Sequence, residues 1–233
     1  MTLTPAISAA LHRASTATIT TVLLKKGVRR TWMRGPMPLA SAAGKRVIGP
    51  AFTLRFVPVR EDLATPASWA SPTSTRGAIE AMPEGVVAVV DAMGARDAGV
   101  FGDILSARMH KRGAAALITD GMVRDLAGVV ATGLPVWCAG GAAPASVASL
   151  TFVGWQEPIG CGGVAVFPDD VIVADGDGAV VIPKAMVAEV AAEAEEQEQL
   201  EAWIMGEVEK GAALPGLYPP NAETKARYER ERK

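Results

Sequence analysis

The run GVVAVVDAMGARDAGVFGDILSARMHKRGAAALITDGMVRD, Gly85 to Asp125, decides the fold. It opens on GVVAVVD, a continuous apolar stretch closed by an acid, the pattern of a buried strand whose C-terminal end reaches a site. ILSARMHKRG then carries helical spacing and a glycine stop at Gly113. AAALITDG is the next buried strand. After it, a short helix from about Asp125 to Thr132 leads into LPVWCAG, a third strand. Strand, helix, strand, helix, strand is the order of a parallel, layered α/β core.

Working outward, the N-terminal side supplies helices and one long strand. Thr4-Pro5 reads as a cap and first helical position, opening a helix to about Ala14. Ser15 caps a second helix, TATITTVLLKKG, which Gly27 stops. RVIGPAFTLRFVPV is extended and rich in β-branched and aromatic residues. Residues 62–76 are rich in Ser, Thr, Pro and Ala and read as a loop or flap.

On the C-terminal side, IGCGGVAVFPDDVIVADGDGAVVIP is a set of short strands broken by Gly, Pro and Asp, with DGDG as a hairpin turn. A β-rich layer is therefore expected to pack on the α/β layer. From Pro183 onward KAMVAEVAAEAEEQEQLEAWIMGEVEKG predicts one long helix, with an apolar stripe of Met186, Val187, Val190, Ala194, Leu200 and Ile204 and an acidic face left to solvent. The end of the chain, from about residue 215, is Pro-rich and then charged. It reads as a peripheral tail, or as an arm around a neighbouring subunit.

The 233 residues are 49% hydrophobic and 21% charged, an ordinary balance for one soluble domain spanning 1–233. A net charge of -2 gives no electrostatic reason to expect nucleic acid, and 5% aromatics argue against stacking platforms for single strands. Met1 to Arg13 holds no long apolar run, and no window reaches the roughly 18 apolar residues of a membrane span. The expectation is a cytoplasmic protein without a membrane partner. Cys138 and Cys161 lie far apart without CxxC spacing and read as small buried apolar residues.

Several chemistries lack their residues. His12 and His110 show no zinc-binding spacing, no GxSxG elbow occurs, and GCGG lacks the Lys-Ser/Thr of a phosphate loop. GCGG reads instead as a tight turn where backbones approach closely. The lysines flank helix ends or glycine stops, so none is set to form a Schiff base. What remains is Gly102-Asp103 and Arg124-Asp125. The amides of Asp103, Ile104 and Leu105 at a helix start could receive a substrate carboxylate. Taken alone, Asp103 reads equally as a helix cap and Arg124-Asp125 as a surface ion pair. Together they fall at the carboxyl ends of neighbouring buried strands, where open α/β sheets place ligands.

Asp103 followed after twenty residues by Arg124-Asp125, with Gly102 in front, resembles the RraA-like family. That family includes class II 4-hydroxy-4-methyl-2-oxoglutarate aldolases and regulators of ribonuclease E. GPAFTLRF, RGAAALITDGMVRD and PIGCGGVAVFPDDVIVADGDGAVVIP resemble its early strand, central block and late β layer, and the likeness covers residues 1 to about 215. The resemblance implies an α/β fold of the layered β/β/α swivelling-domain type, here with a long C-terminal helix. It also implies trimers or paired trimers with active sites between subunits. The implied activity is a metal-dependent lyase: retro-aldol cleavage of a small 2-oxo acid to pyruvate, with oxaloacetate decarboxylation through the same enolate. Carried over, Asp125 would bind a magnesium or manganese ion and Arg124 the keto oxygen. Asp103 would position or accept a proton through water, and the amides of Ile104 and Leu105 would hold the carboxylate.

One position departs from that pattern. The aldolases carry an acid three residues after Arg-Asp, and here Gly128 stands there, leaving fewer acceptors for waters around an ion. As a mid-helix glycine, Gly128 is expected to tolerate replacement by Asp. Two other readings remain open. One is a sugar-acid aldolase or dehydratase, with the flap and Arg55, Arg60 and Glu61 recognising substrate, although Arg60-Glu61 reads equally as a surface pair. The other is a non-catalytic inhibitor of ribonuclease E. The apolar content and the amphipathic helix predict a homotrimer or homohexamer.

Overall fold

The computed structural model describes residues 3–232. Its elements, in chain order, are α1 (Pro5–Arg13), α2 (Thr16–Lys25), β1 (Met37–Pro38), β2 (Val47–Pro58), α3 (Thr75–Ala81), β3 (Val87–Asp91), α4 (Asp103–Lys111) and β4 (Ala116–Thr119). There follow α5 (Leu126–Ala131), β5 (Val136–Cys138), β6 (Leu150–Trp155), β7 (Val171–Asp175), β8 (Gly178–Ile182), α6 (Val187–Glu209) and α7 (Ala222–Glu231).

The expected alternation holds. β2, β3, β4 and β5 are neighbours and run parallel, with Thr53 opposite Val89 and Val89 opposite Ile118. β2 is long enough to serve two sheets. Val47–Pro50 pairs antiparallel with β7, whereas Ala51–Arg55 pairs with β3. The changeover sits at Gly49-Pro50. A Cβ on Gly49 would stand 2.5 Å from the Gly85 carbonyl oxygen, so only glycine admits this approach. The sheet therefore curls, in the order β1-β5-β4-β3-β2-β7-β8 with β6 on β2.

Strand alternation sorts the apolar side chains into layers. Ala88 and Val90 face α3, α4 and α5, while Val87 and Val89 face the second sheet. On β8, Ala179 and Val181 face that same inner space, and Val180 and Ile182 face outward under α1, α2 and α6. Trp137 is fully buried between the sheets and donates its indole N–H to the Asp175 carbonyl at 2.8 Å. The result is the expected β/β/α layering with the long C-terminal helix across the outer sheet.

Local signals worked where the side chain closes its own turn. Thr4 and Ser15 accept hydrogen bonds from the amides of Ile7 and Thr18, capping α1 and α2. α3 begins inside the stretch 62–76 expected to be a loop. Its cap is Ser74, which accepts from the Gly77 amide. The acidic face of α6 is not simply solvated, contrary to expectation. Lys26 of α2 bridges Glu189 and Glu193, both at 2.7 Å, Arg13 of α1 pairs with Glu195, and Glu207 is buried against Lys210 and Arg227. Glu189, Glu193 and Glu195 lie where the basic ends of α1 and α2 meet the helix. The tail from about residue 215 folds back on its own chain, with Tyr228 of α7 5.7 Å from the Trp203 ring of α6. Among the described residues no helix is long and apolar enough to cross a membrane.

Candidate active site beside the first turn of α4

Two loops leave the carboxyl ends of β3 and β4 and run side by side. Gly99 bridges Met122 in parallel, the Val100 amide donates to the Met122 carbonyl at 2.9 Å, and the Arg124 amide donates to the Phe101 carbonyl at 2.9 Å. Asp120 anchors the base of this arrangement. Its buried carboxylate accepts from the amides of Ala92 at 2.8 Å and Gly162 at 3.0 Å. Burial pushes its pKa up, and these amides hold it partly down. Burial also raises the neighbouring Cys161 thiol well above its ordinary value. The GCGG turn behaves as expected: a Cβ on Gly162 would lie 2.7 Å from the backbone nitrogen of Arg34.

The loops bring the sequence candidates together. Gly102, Asp103, Ile104, Leu105, Arg124 and Asp125 line one cleft of about 300 Å³. Two glycines make this contact possible. A Cβ on Gly99 would sit 2.6 Å from the Arg124 nitrogen, and one on Gly102 would sit 2.6 Å from Asp125 Oδ2. Any side chain at 102 would occupy the space that the Asp125 carboxylate fills.

Asp125 adopts a left-handed conformation, φ 53 and ψ 44, just before α5. For a non-glycine residue this costs about 1–3 kcal/mol, and such residues cluster at functional sites. Its carboxylate does not cap α5; it turns to Arg124, whose Nε donates to Oδ2 at 3.1 Å. The surface ion-pair reading is thus correct as geometry. A guanidinium carries five N–H donors, so this contact leaves others for a ligand.

Asp103 is not the helix cap; Gly102 is, and Asp103 is the first helical residue. Its Oδ1 accepts from the Ile104 amide at 2.7 Å, and the Ser106 amide is bonded back to the Gly102 carbonyl at 3.0 Å. An incoming carboxylate would therefore have to displace Asp103 from the Ile104 amide. On its other side Asp103 lies on α5. A Cβ on Gly128 would stand 2.7 Å from Asp103 Oδ2 and 2.8 Å from Asp103 Cβ. This corrects the expectation that Asp at 128 is tolerated, since the position has no room beside Asp103.

The flap, residues 62–76, is expected from the sequence only as a stretch, and Trp69, Thr75 and Arg76 are the residues it brings to this wall; Gly99, Val100, Ala145 and Ser146, which the sequence does not single out, complete it. Arg76 stacks its guanidinium 5.1 Å from the Trp69 ring centre. Trp69 comes from the flap and Thr75 and Arg76 from the start of α3, far from α4 and α5 along the chain. Arg60 stays out of the cleft and pairs with Asp62 rather than Glu61, at 2.6 Å.

The donors in the cleft are carboxylate oxygens. No group of three or more His, Cys, Asp or Glu side chains gathers into a metal cage among the described residues. A lone carboxylate suits a hard ion that keeps most of its waters, such as magnesium or manganese, and does not suit zinc, which takes His or Cys. Asp125 fits that role.

The sequence model of the RraA-like family, described as Aldolase/RraA, matches residues 15–181. The chain belongs to the RraA-like family. It is 36% identical over 140 residues to a Halalkalibacterium halodurans protein proposed by name to be a 4-hydroxy-4-methyl-2-oxoglutarate aldolase, a match covering 60% of each chain. It is 31% identical over 147 residues to protein DlpA of Legionella pneumophila, covering 63% of this chain and 23% of DlpA. The chain thus spans less than two thirds of the length of these two relatives. Among solved structures it is similar to Streptomyces coelicolor RraAS2, described as an unusual member of the RNase ES inhibitor RraA protein family. The TM-score is 0.77 and the identity 35%, over 87% of this chain and 97% of that one. The RraA-like family therefore includes proteins named as aldolases and proteins named as ribonuclease inhibitors.

Proposed function

We propose that this RraA-like chain is a divalent-metal-dependent lyase that cleaves a 4-hydroxy-2-oxo acid to pyruvate. The observation that carries the reading is the convergence of Asp103, Arg124, Asp125 and the first-turn amides of α4 on one cleft, across Gly99, where a side chain would meet the Arg124 backbone, and Gly102, where one would displace the Asp125 carboxylate. Retro-aldol cleavage takes the proton from the 4-hydroxyl and breaks the C3–C4 bond. The electron pair passes into the C2 carbonyl, leaving an aldehyde or ketone and the enolate of pyruvate, and a proton then returns to C3.

Each candidate has a part in this sequence. The Arg124 guanidinium faces the developing charge on the C2 oxygen. The Leu105 amide takes the substrate carboxylate at the positive end of α4, joined by the Ile104 amide once Asp103 lets it go. Released in this way, Asp103 is the base for the 4-hydroxyl proton, directly or through a water, and the acid that returns it to C3. Asp125 would hold the magnesium or manganese ion, which when bound polarises the keto and carboxylate oxygens as a Lewis acid. Oxaloacetate gives the same enolate on losing carbon dioxide and is expected as a second substrate. Ile104, an exposed apolar side chain of the cleft, supports assembly as a homotrimer or homohexamer with the cleft at a subunit boundary.

The test is Arg124→Ala. Its side chain is outside the core, so folding should be unchanged while pyruvate release falls about 10²-fold or more, the scale of one lost oxyanion donor. Unaltered turnover would overturn the lyase reading. Likeness to RraAS2 favours a second reading, ribonuclease inhibition. That reading predicts ribonuclease binding by wild type and Arg124→Ala alike.

A further inference from the structure

A second cavity, of about 290 Å³, lies beyond the flap side of the cleft. The two share Trp69, Thr75 and Ser146 as a common wall. Each is near the lower limit of about 300 Å³ for a small-molecule site, so neither alone holds more than a compact group. The cavities differ in chemistry. The cleft is charged, with Asp103, Arg124, Asp125 and Arg76. Among the described residues the second cavity has no charged side chain in its lining. Phe56, Leu63, Leu150 and Phe152 supply apolar surface, and Ser68 and Thr151 are among its hydroxyls. Arg60 and Asp62, at the entry to the flap, pair with each other and do not line it, and Arg76, held on the Trp69 ring, lines the cleft and not this cavity.

We infer that this cavity receives the distal end of the substrate, and that the tail beyond C4 is neutral, apolar or hydroxylated, rather than a second carboxylate. The inference rests on the lyase reading only in placing the keto-acid head at Arg124. A carboxylate in the second cavity would lose hydration with no cation to replace it, which is costly. An alkyl or sugar-like tail would bury apolar surface and find hydroxyl partners. Trp69 belongs to both spaces. It carries Arg76 on its ring at the edge of the cleft while its flap lines the second cavity.

A matched pair of ligands tests this without catalysis. 2-Oxoheptanoate and 2-oxopimelate have the same chain length, differ in the terminal group, and lack the 4-hydroxyl, so neither is cleaved by retro-aldol chemistry. Calorimetric titration of the full chain with magnesium present should give at least about 10-fold tighter binding of 2-oxoheptanoate, the discrimination typical of an apolar pocket. Val147→Phe, which fills the cavity from outside the cleft, should abolish that preference. Thr73→Lys, at an exposed rim position, should shift it toward 2-oxopimelate. Equal binding, tighter binding of 2-oxopimelate, or no binding of either would overturn the inference. So would a preference that survives Val147→Phe. Pyruvate release from the corresponding 4-hydroxy-2-oxo acids is scored separately. Selective binding without cleavage would sink the lyase reading and leave the cavity assignment standing, while cleavage without tail preference would do the reverse.

Discussion

Gly128→Ala separates what the sequence implies from what the structure implies, because the two differ in sign. An alanine in place of a helical glycine is expected to stabilise by about 1 kcal/mol. In the fold, however, the new Cβ meets Asp103 at three atoms: 2.7 Å to Oδ2, 2.8 Å to Cβ and 3.1 Å to Cγ. Rotation about χ1 carries away Oδ2 and Cγ but leaves Asp103 Cβ where it is, fixed to the α4 backbone. Relief therefore requires α4 and α5 to move apart by some tenths of an ångström. Overpacking of this kind costs about 1–3 kcal/mol, which cancels or exceeds the helix gain. We expect a melting temperature unchanged or lowered by up to several degrees, since about 1 kcal/mol corresponds to roughly 2–4 °C in a domain of this size. On the proposed role of Asp103 activity should fall as well, by less than the roughly 10²-fold of a displacement of about 1 Å, because the shift is some tenths of that. The assay is thermal unfolding alongside pyruvate release at saturating magnesium. A melting temperature raised by several degrees with full activity would refute the packing of Asp103 on Gly128.

Gly102→Ala should unfold at nearly the wild-type temperature, since φ -118 and ψ -170 suit alanine, yet should lose about 10²-fold in pyruvate release because the methyl group displaces the Asp125 carboxylate; retention of activity would detach Asp125 from the chemistry. A chelator should abolish turnover and added magnesium or manganese restore it, whereas Asp125→Asn, which keeps the shape but not the charge, should not be restored. Equal metal affinity of wild type and Asp125→Asn by calorimetry would show that the ion binds elsewhere. Light scattering should give the mass of a trimer or hexamer, and a monomer at micromolar concentration would rule out a cleft shared between subunits.

The legible parts of the fold were those that a side chain or a period decides locally. Thr4 and Ser15 cap their helices with their own hydroxyls, and DGDG between two apolar runs turns β7 into β8. GVVAVVD and AAALITDG read as buried strands because both faces of β3 and β4 are covered, one by helices and one by the second sheet. What stayed hidden depends on partners distant in sequence. The acids of α6 look solvent-directed along their own helix, and only the crossing of α1 and α2 turns Glu189, Glu193 and Glu195 into partners for Lys26 and Arg13. Likewise, nothing in RVIGPAFTLRFVPV indicates that its two halves belong to different sheets until Gly49 is found against the Gly85 carbonyl.

The candidate site divides along the same line. Charge and spacing pointed to Asp103, Arg124 and Asp125, because chemistry needs those groups whatever surrounds them. The glycines were harder to interpret, because a glycine is defined by what it lets approach. Gly102 reads locally as a helix start, but its role is to leave room for Asp125 Oδ2, while Gly99 leaves room for the Arg124 backbone. Gly128 reads as a missing acid. In space it is the surface on which Asp103 rests, so an acid there would compete with Asp103 for one volume as well as repel it. The departure from the aldolase pattern thus bears on where Asp103 points as much as on how many carboxylates surround an ion. With glycine at 128, Asp103 can lean on α5 and hold the Ile104 amide, a position from which an arriving substrate carboxylate would release it toward the cleft.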